Sequence, residues 1–507
     1  MRHAYQVAAV RAAERALMDQ LPDGTLMRRA AAGLASACTA LLGRYPGYVY
    51  GARVLVLTGT GDNGGDALYA GALLARRGAA VTAITAGPKA HEGGTAELLG
   101  AGGRIVAGDA AHDHLFATAD LIIDGLLGIG GRSGLREPFA GLARQAGQAD
   151  ATVVAVDLPS GIDTDTGAVE GLAVRADVTV TFGAIKPGLL IDPGARYAGA
   201  LDLVDIGLGP YLPDPPSALA PQRDDIAGLL PRPGPESDKY RRGVVGLVVG
   251  SDRFAGAAVL ATGGAVRGGA GMVRVVTGEV AAAAVRQWWP EVVITVHPDA
   301  PDWDLIGSAG RVQAWVAGPG MGTGPDAAAR LAAVLGTDLP VLVDADGLTI
   351  LSQEPGLLPR AAPTLITPHA GELARLLGTD AASVEARRAE HARRAAASLG
   401  VTVLLKGSTT VIAASGQPLL INPTGTSWLA TAGTGDVLSG LAGALLAQGL
   451  EPAQAGLAAA YLHGLAARLA VSPNAPHGSW AEGEAPGEAP IGASDVVRAL
   501  PEAFRSL

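Results

Sequence analysis

Leu429-Ala-Thr-Ala-Gly-Thr-Gly-Asp-Val-Leu-Ser439 passes from small apolar residues through Gly433, Gly435 and Asp436 into an amphipathic run, Val437 to Leu446, that reads as a helix. Two glycines allow the backbone to approach a ligand closely, and the free amides at the start of a helix favour an anion. Asp436 stands in that first turn, where a carboxylate can take the proton of a hydroxyl being pushed onto a phosphate. An aspartate N-cap after a flexible turn is the plainer reading. The rest of the chain decides between them.

Around this stretch, short apolar runs alternate with helical ones. In the second half strands are expected near 243–250, 272–276, 292–296, 312–317, 340–344, 364–367, 401–406 and 410–414, with helices at 257–267, up to Leu335, from Glu372 and at 493–500. The first half opens on two helices within residues 1–45, then offers strands at 53–58, 80–85, 104–107, 121–124, 152–157, 178–182 and 200–204. Such alternation implies an α/β fold with parallel sheets covered on both faces and ligands outside the carboxyl ends of the strands. Between the halves, residues 207–237 are rich in proline and show no sustained period, as in a semi-rigid connector. The expected division is a first domain over 1–210, a Pro-rich linker over 211–236 and a second domain over 237–507. Residues 472–490 read as a polar, low-complexity surface loop.

Composition narrows the classes of function. A chain of 507 residues exceeds one hydrophobic core, and its apolar share of 49% suits packed layers rather than disorder. Net charge is −10 without a basic run, and aromatics make up 4%, which argues against nucleic-acid and acidic-membrane partners. An anionic substrate would be held by local amides and single cations. Cys38 is the lone cysteine, so neither a disulfide framework nor a Cys-based zinc site is expected. The charged N-terminus does not read as a signal peptide, and a soluble cytoplasmic protein is expected.

Three polar clusters fall at strand ends in the first half. Gly59-Thr-Gly-Asp-Asn-Gly64 satisfies G-x-G-x-x-G between a strand and a helix, the setting of a dinucleotide site. The second strand supplies no acidic residue for a ribose, so an ordinary nicotinamide dehydrogenase is not indicated, and a tight turn without ligand is the alternative. Asp124 ends an apolar strand before a second glycine-rich loop, and Asp157-Leu-Pro-Ser-Gly161 ends the next. Asn63, Asp124 and Ser160 therefore bring hard oxygen ligands to one sheet edge, a pocket for a monovalent or other hard cation.

The motifs also carry a resemblance. DNGGD at 62–66, DGLLGIGGRSG at 124–134, DLPSGID at 157–163 and TFGAIKPG at 181–188 resemble the YjeF N-terminal domain, the NAD(P)H-hydrate epimerase. FAGAAVLA at 254–261, AGPGMGTG at 317–324, DADGLTIL at 344–351, TPHAGE at 367–372, KGSTT at 406–410 and AGTGD at 432–436 resemble the ribokinase-like NAD(P)H-hydrate dehydratase. Together they cover nearly the whole chain, which is identified as a member of the bifunctional nicotinamide-nucleotide repair family. The resemblance implies two three-layer αβα domains, a Rossmann-like parallel sheet followed by a ribokinase-like sheet.

It also implies site residues. In the epimerase half Asp62, Asn63, Gly64, Gly65, Asp66, Gly128, Ile129, Gly130, Gly131, Arg132, Ser133, Gly134 and Asp157 would hold the hydrated cofactor, with potassium on Asn63, Asp124 and Ser160. Asp62 stands where the family has asparagine, adding negative charge near a phosphate-bearing ligand that Lys186 would offset. In the dehydratase half Ala257, Gly320, His369 and Asp436 would contact the hydrated cofactor. Lys406, Gly407, Ser408, Thr409, Thr410 and Gly435 would contact ADP, as in bacterial members, or ATP, as in eukaryotic ones, with magnesium bridging the phosphates. His369 has a capping role as its alternative.

The chemistry expected is phosphorylation of the C6 hydroxyl of the S hydrate with Asp436 as general base, then loss of phosphate to restore NAD(P)H. In the other half R and S hydrates would interconvert, with Asp124 as the acid/base candidate. The partners expected are small molecules and further copies of the chain. Two rivals share the glycine-turn helix: a ribokinase-like sugar or hydroxymethylpyrimidine kinase with a regulatory N-terminal half, and a nucleotide-responsive binding protein without turnover.

Overall fold

The structure is a computed structural model that describes residues 1–507 apart from 88, 109–111, 132, 299–302 and 473–487. Most of the low-complexity stretch and Arg132 thus lie outside the described residues. The chain divides into two compact units, His3–Ala218 and Leu219–Leu507 with Met1–Arg2.

In the first unit seven strands form one sheet: β1 Arg53–Thr58, β2 Ala80–Thr85, β3 Arg104–Ala107, β4 Leu121–Gly125, β5 Thr152–Val156, β6 Val178–Phe182 and β7 Ala200–Val204. All neighbours are parallel, in the order β3-β2-β1-β4-β5-β6-β7. Successive residues feed opposite faces. Val54 and Val56 join a core with helices α1 Val7–Met18, α2 Thr25–Arg44 and α3 Asp62–Arg76. Leu55 and Leu57 join a second core with the helix Phe139–Ala146. Both faces being covered explains why β1 is a continuous apolar run. The order reverses between β1 and β4, which opens a crevice at their carboxyl ends.

In the second unit the strands are β8 Val244–Val248, β9 Met272–Thr277, β10 Val293–Val296, β11 Ala314–Ala317, β12 Val341–Val343, β13 Thr364–Ile366, β14 Thr402–Leu405, β15 Thr410–Ala413 and β16 Leu419–Asn422. They run in the order β16-β15-β14-β13-β12-β11-β8-β9-β10. The pairs β14–β15 and β15–β16 are antiparallel and the others parallel. One face packs on helices α5 Ala255–Arg267, α7 Thr434–Ala447, α8 Pro452–Val471 and α9 Ala493–Arg505. Trp315, Val343, Ile366 and Val403 on the alternate register are buried as well, so the second face is also covered. α5 and α7 touch backbone to backbone: a side chain begun at Gly440 would stand 1.9 Å from the Ala261 carbonyl oxygen.

The regular structure departs from expectation in several places, of which four bear on the sites and the connector. The glycine-turn helix starts at Thr434, three residues before Val437, because Gly433 caps it in a left-handed conformation. β16 and the twenty-residue α8 are additional. α9 continues through Pro501 to Arg505, since Val496, Val497, Leu500 and Ala503 keep a buried stripe. Finally, the stretch expected as a bare connector contains helix α4, Arg223–Leu229, whose Ile226 is fully buried in the core of the second unit.

Candidate active sites

At the reversal between β1 and β4, the chain turns through Gly59–Gly61 into α3, and β4 feeds the loop at 126–134. A cavity of about 880 Å³ opens there, within the range of about 300–1,000 Å³ usual for small-molecule sites. Asp62, Asn63, Asp66, Gly128, Ile129, Gly130, Gly131 and Asp157 all line it. Gly64 and Gly65 are buried on α3 behind them. Ser133 and Gly134 turn away: the Ser133 hydroxyl donates to the Ala168 carbonyl at 3.0 Å, and the Gly134 amide to the Gly161 carbonyl at 2.9 Å.

Asp157 adopts a left-handed backbone, φ 67°, a strained setting for a residue with a side chain. Its carboxylate receives the Lys186 ammonium, which also donates to the Thr181 hydroxyl at 2.9 Å. Lys186 is 1% exposed. It neutralises Asp157, a correction to its expected pairing against Asp62. Burial, then the charges of Asp157, Asp62 and Glu14, push the Asp66 carboxyl well above the usual carboxylate range. One Asp66 oxygen is buried without a hydrogen-bond partner.

Asp124 is fully buried at the base of the loop and absent from the cavity wall. One oxygen accepts from the Ser160 hydroxyl at 2.7 Å and the other from the Ser160 amide at 2.8 Å. Burial pushes its carboxyl up to about 6 against those bonds. The Asn63 amide donates to the Leu127 carbonyl at 3.1 Å, and the Ser160 hydroxyl lies 3.2 Å from that oxygen. Asn63, Asp124 and Ser160 therefore meet around Leu127. The acid/base part expected of Asp124 would have to be played from behind the wall, since the carboxylates facing the cavity are Glu14, Asp23, Asp62, Asp66 and Asp157.

In the second unit the sheet reverses between β8 and β11, and the expected residues gather at the carboxyl ends. Gly320, φ 63°, lies under the first turn of α5, and a side chain begun there would stand 2.7 Å from the Ala257 methyl. Asp344, after β12, is 1% exposed; one oxygen accepts from Lys406 Nζ and the other from the Ser439 hydroxyl, each at 2.7 Å. Gly435 lies against this pair, 3.4 Å from Lys406 Nζ measured from where its side chain would begin. Burial works against the Lys406 charge, but Asp344, Glu372 and Asp436 hold its ammonium above the ordinary value. Asp436 occupies the first turn of α7. Burial and the charge of Asp344, opposed by Lys406, push its carboxyl up to about 7.

The remaining expected residues divide. Lys406 to Thr410 form the turn of the β14–β15 hairpin, with Gly407 and Ser408 exposed and Thr409 and Thr410 buried. His369 caps helix α6, Ala370–Leu377: its ring accepts from the Gly371 amide at 3.0 Å, and its own amide donates to Glu372 at 2.8 Å. Asp344, Ser439 and Glu372 were not among the expected residues, although Asp344 ends an apolar strand just as Asp124 does. His463 of α8 was missed too. It is buried beneath Thr434, and burial pushes its imidazole down to about 4.

Comparison with known proteins matches both halves. Residues 23–188 fit the family model of the YjeF-related protein N-terminus, and residues 245–481 that of NAD(P)H-hydrate dehydratase. The bifunctional NAD(P)H-hydrate repair enzyme Nnr of Mycobacterium leprae (strain TN) is 47% identical over 510 residues, covering 100% of both chains. That of Mycobacterium tuberculosis (strain ATCC 25618 / H37Rv) is 49% identical over 90% of this chain and 91% of its own. Among solved structures, the ADP/ATP-dependent NAD(P)H-hydrate dehydratase of Bacillus subtilis, co-crystallized with ATP/Mg2+, is 30% identical with a TM-score of 0.49, covering 56% of this chain and 97% of that one.

Proposed function

The chain belongs to the bifunctional NAD(P)H-hydrate repair enzymes, and from that membership we propose how its two sites divide the work. The N-terminal half interconverts the R and S hydrates of NADH and NADPH, and the C-terminal half dehydrates the S hydrate with a nucleotide as phosphoryl donor. A stand-alone sugar or pyrimidine kinase is set aside by the identity over the full length to bifunctional relatives.

In the C-terminal half Asp436 takes the proton of the C6 hydroxyl as that oxygen attacks the terminal phosphoryl group of ADP or ATP. The C6–O–P bond forms and the bond from phosphorus to the nucleotide breaks. Hydroxide leaves poorly and phosphate leaves well. The ring-nitrogen lone pair then expels phosphate, and loss of a C5 proton restores the dihydropyridine. The amides at the start of α7 hold the transferred charge, and Lys406, fixed by Asp344, stands beside them. One observation carries this reading: a base with its carboxyl near neutrality on a helix N-terminus, next to a buried carboxylate–ammonium pair.

Magnesium supplies charge neutralisation on the nucleotide phosphates when bound. Among the described residues no cluster of three or more His, Cys, Asp or Glu is placed to hold a metal. The ion would be held chiefly by phosphate with one carboxylate, and Asp346, whose carboxylate accepts from the Gly322 amide at 2.9 Å, would be the side chain to meet it. Potassium would sit with Asp124, Ser160, Asn63 and the Leu127 carbonyl. The fit is electrostatic: Asp124 is fully buried and its hydrogen-bond partners are all neutral, which leaves a negative charge that a cation would balance. There it would brace the loop that carries Gly128–Gly131.

The two ions separate the two activities. Chelation of magnesium stops dehydration of the S hydrate and leaves epimerisation running, whereas replacing potassium with a large organic cation slows epimerisation alone. Ser160→Ala weakens the potassium response. Epimerisation indifferent to potassium would remove the proposed ion site.

A further inference from the structure

Helix α1 lies before the residues matched by the N-terminal family model, yet it sends Arg11, Glu14 and Arg15 to the cavity wall. Arg11 donates a guanidinium N–H to the Ile129 carbonyl at 3.4 Å. The same nitrogen lies 3.1 Å from where a side chain at Gly130 would begin, so the guanidinium sits directly on the glycine loop. Among the described residues lining the cavity, Arg11 and Arg15 are the lysine and arginine side chains present. Lys186 is engaged by Asp157.

Carboxylates dominate the rest of the polar wall. Burial first, and then the charges of their acidic neighbours, raise the Asp66 and Glu14 carboxyls, with Lys186 and Arg11 opposing the rise at Glu14. A dinucleotide carries two phosphates in its middle, and neither can rest among those carboxylates. Arginine binds phosphate oxygens in paired hydrogen bonds, and Gly128–Gly131 keep the backbone open to close approach. Spaced four residues apart, Arg11 and Arg15 share one side of α1.

We infer that Arg11 is a binding residue for the pyrophosphate of the hydrated cofactor, clamping it on the Gly128–Gly131 loop with Arg15 supplying a second charge. The substrate's orientation follows. Its hydrated ring points toward Asp66 and Asp157, and helix α1 completes a phosphate site that the glycine loop begins. This rests on the reading of the cavity as the epimerase site.

The test uses the full chain, with hydrated NADH as substrate and ADP-ribose as a competitor that keeps the pyrophosphate and lacks the ring. Arg11→Ala raises the KM for epimerisation roughly tenfold or more, with kcat nearly unchanged. ADP-ribose inhibits the wild type competitively, and its inhibition constant rises by a similar factor in the variant. Arg11→Lys recovers part of both. Unchanged melting temperature and S-hydrate dehydration report an intact fold. An unaltered KM in the Arg11→Ala, Arg15→Ala double variant, or failure of ADP-ribose to inhibit the wild type, overturns the clamp. The cavity assignment fails separately, if Asp157→Ala epimerises at the wild-type rate.

Discussion

Burial and the charge of Asp344, opposed by Lys406, push the Asp436 carboxyl up to about 7. A general base works only when ionised, so kcat/KM for dehydration should fall about tenfold per pH unit below about 7. Asp344→Asn removes a negative neighbour and also frees the Lys406 charge, and both changes favour the Asp436 anion. The acid limb of the profile therefore moves to lower pH in that variant while the plateau drops, since Lys406 loses its anchor. A pH–rate profile with its acid limb unmoved would detach Asp344 from Asp436. Residues of this kind were legible unevenly. Asp436 and Lys406 stand out as polar residues after apolar runs beside glycine, and the structure brings them together. Asp344 carries the same signal, VLVD against the LIID of Asp124, but only the partners in space, Lys406 and Ser439, show what it does. Asp124 is the converse case: sequence places a carboxylate at the strand end but not how deeply the following loop buries it.

At the scale of elements, the strands of both sheets were readable because short apolar runs separated by glycine loops leave few alternatives. Helix α8 was not. Its residues, PAQAGLAAAYLHGLAARLAV, are apolar nearly all round, and a helix buried on most sides shows no stripe for periodicity to find. Helix α4 was hidden by the prolines on either side of it, although Gln222 and Asp225 form a capping box at its start. Its assignment to the second unit has a measurable consequence. Ile226 is fully buried in that core, so Ile226→Ala should cost about 2–5 kcal/mol by denaturant unfolding. A fragment of residues 219–507 should melt well above one of residues 237–507. Equal melting temperatures would return α4 to the role of a plain connector.

For the molecule as a whole, the order of the two sheets places a cavity after the β1–β4 reversal and the Asp344, Lys406 and Asp436 cluster in the second unit, each at a carboxyl edge. A damaged cofactor that exists as two epimers needs both, since a stereospecific dehydratase strands the epimer it does not bind. Among the described residues no helix is long and apolar enough to cross a membrane. The division of labour can be read in one cuvette. Supply the R hydrate of NADH with ADP or ATP and magnesium, and follow the return of the dihydronicotinamide absorbance. The wild type restores it fully, and Asp436→Asn restores none while still converting R hydrate into the R and S mixture faster than the spontaneous exchange. Full recovery of absorbance by Asp436→Asn would contradict the account at its centre.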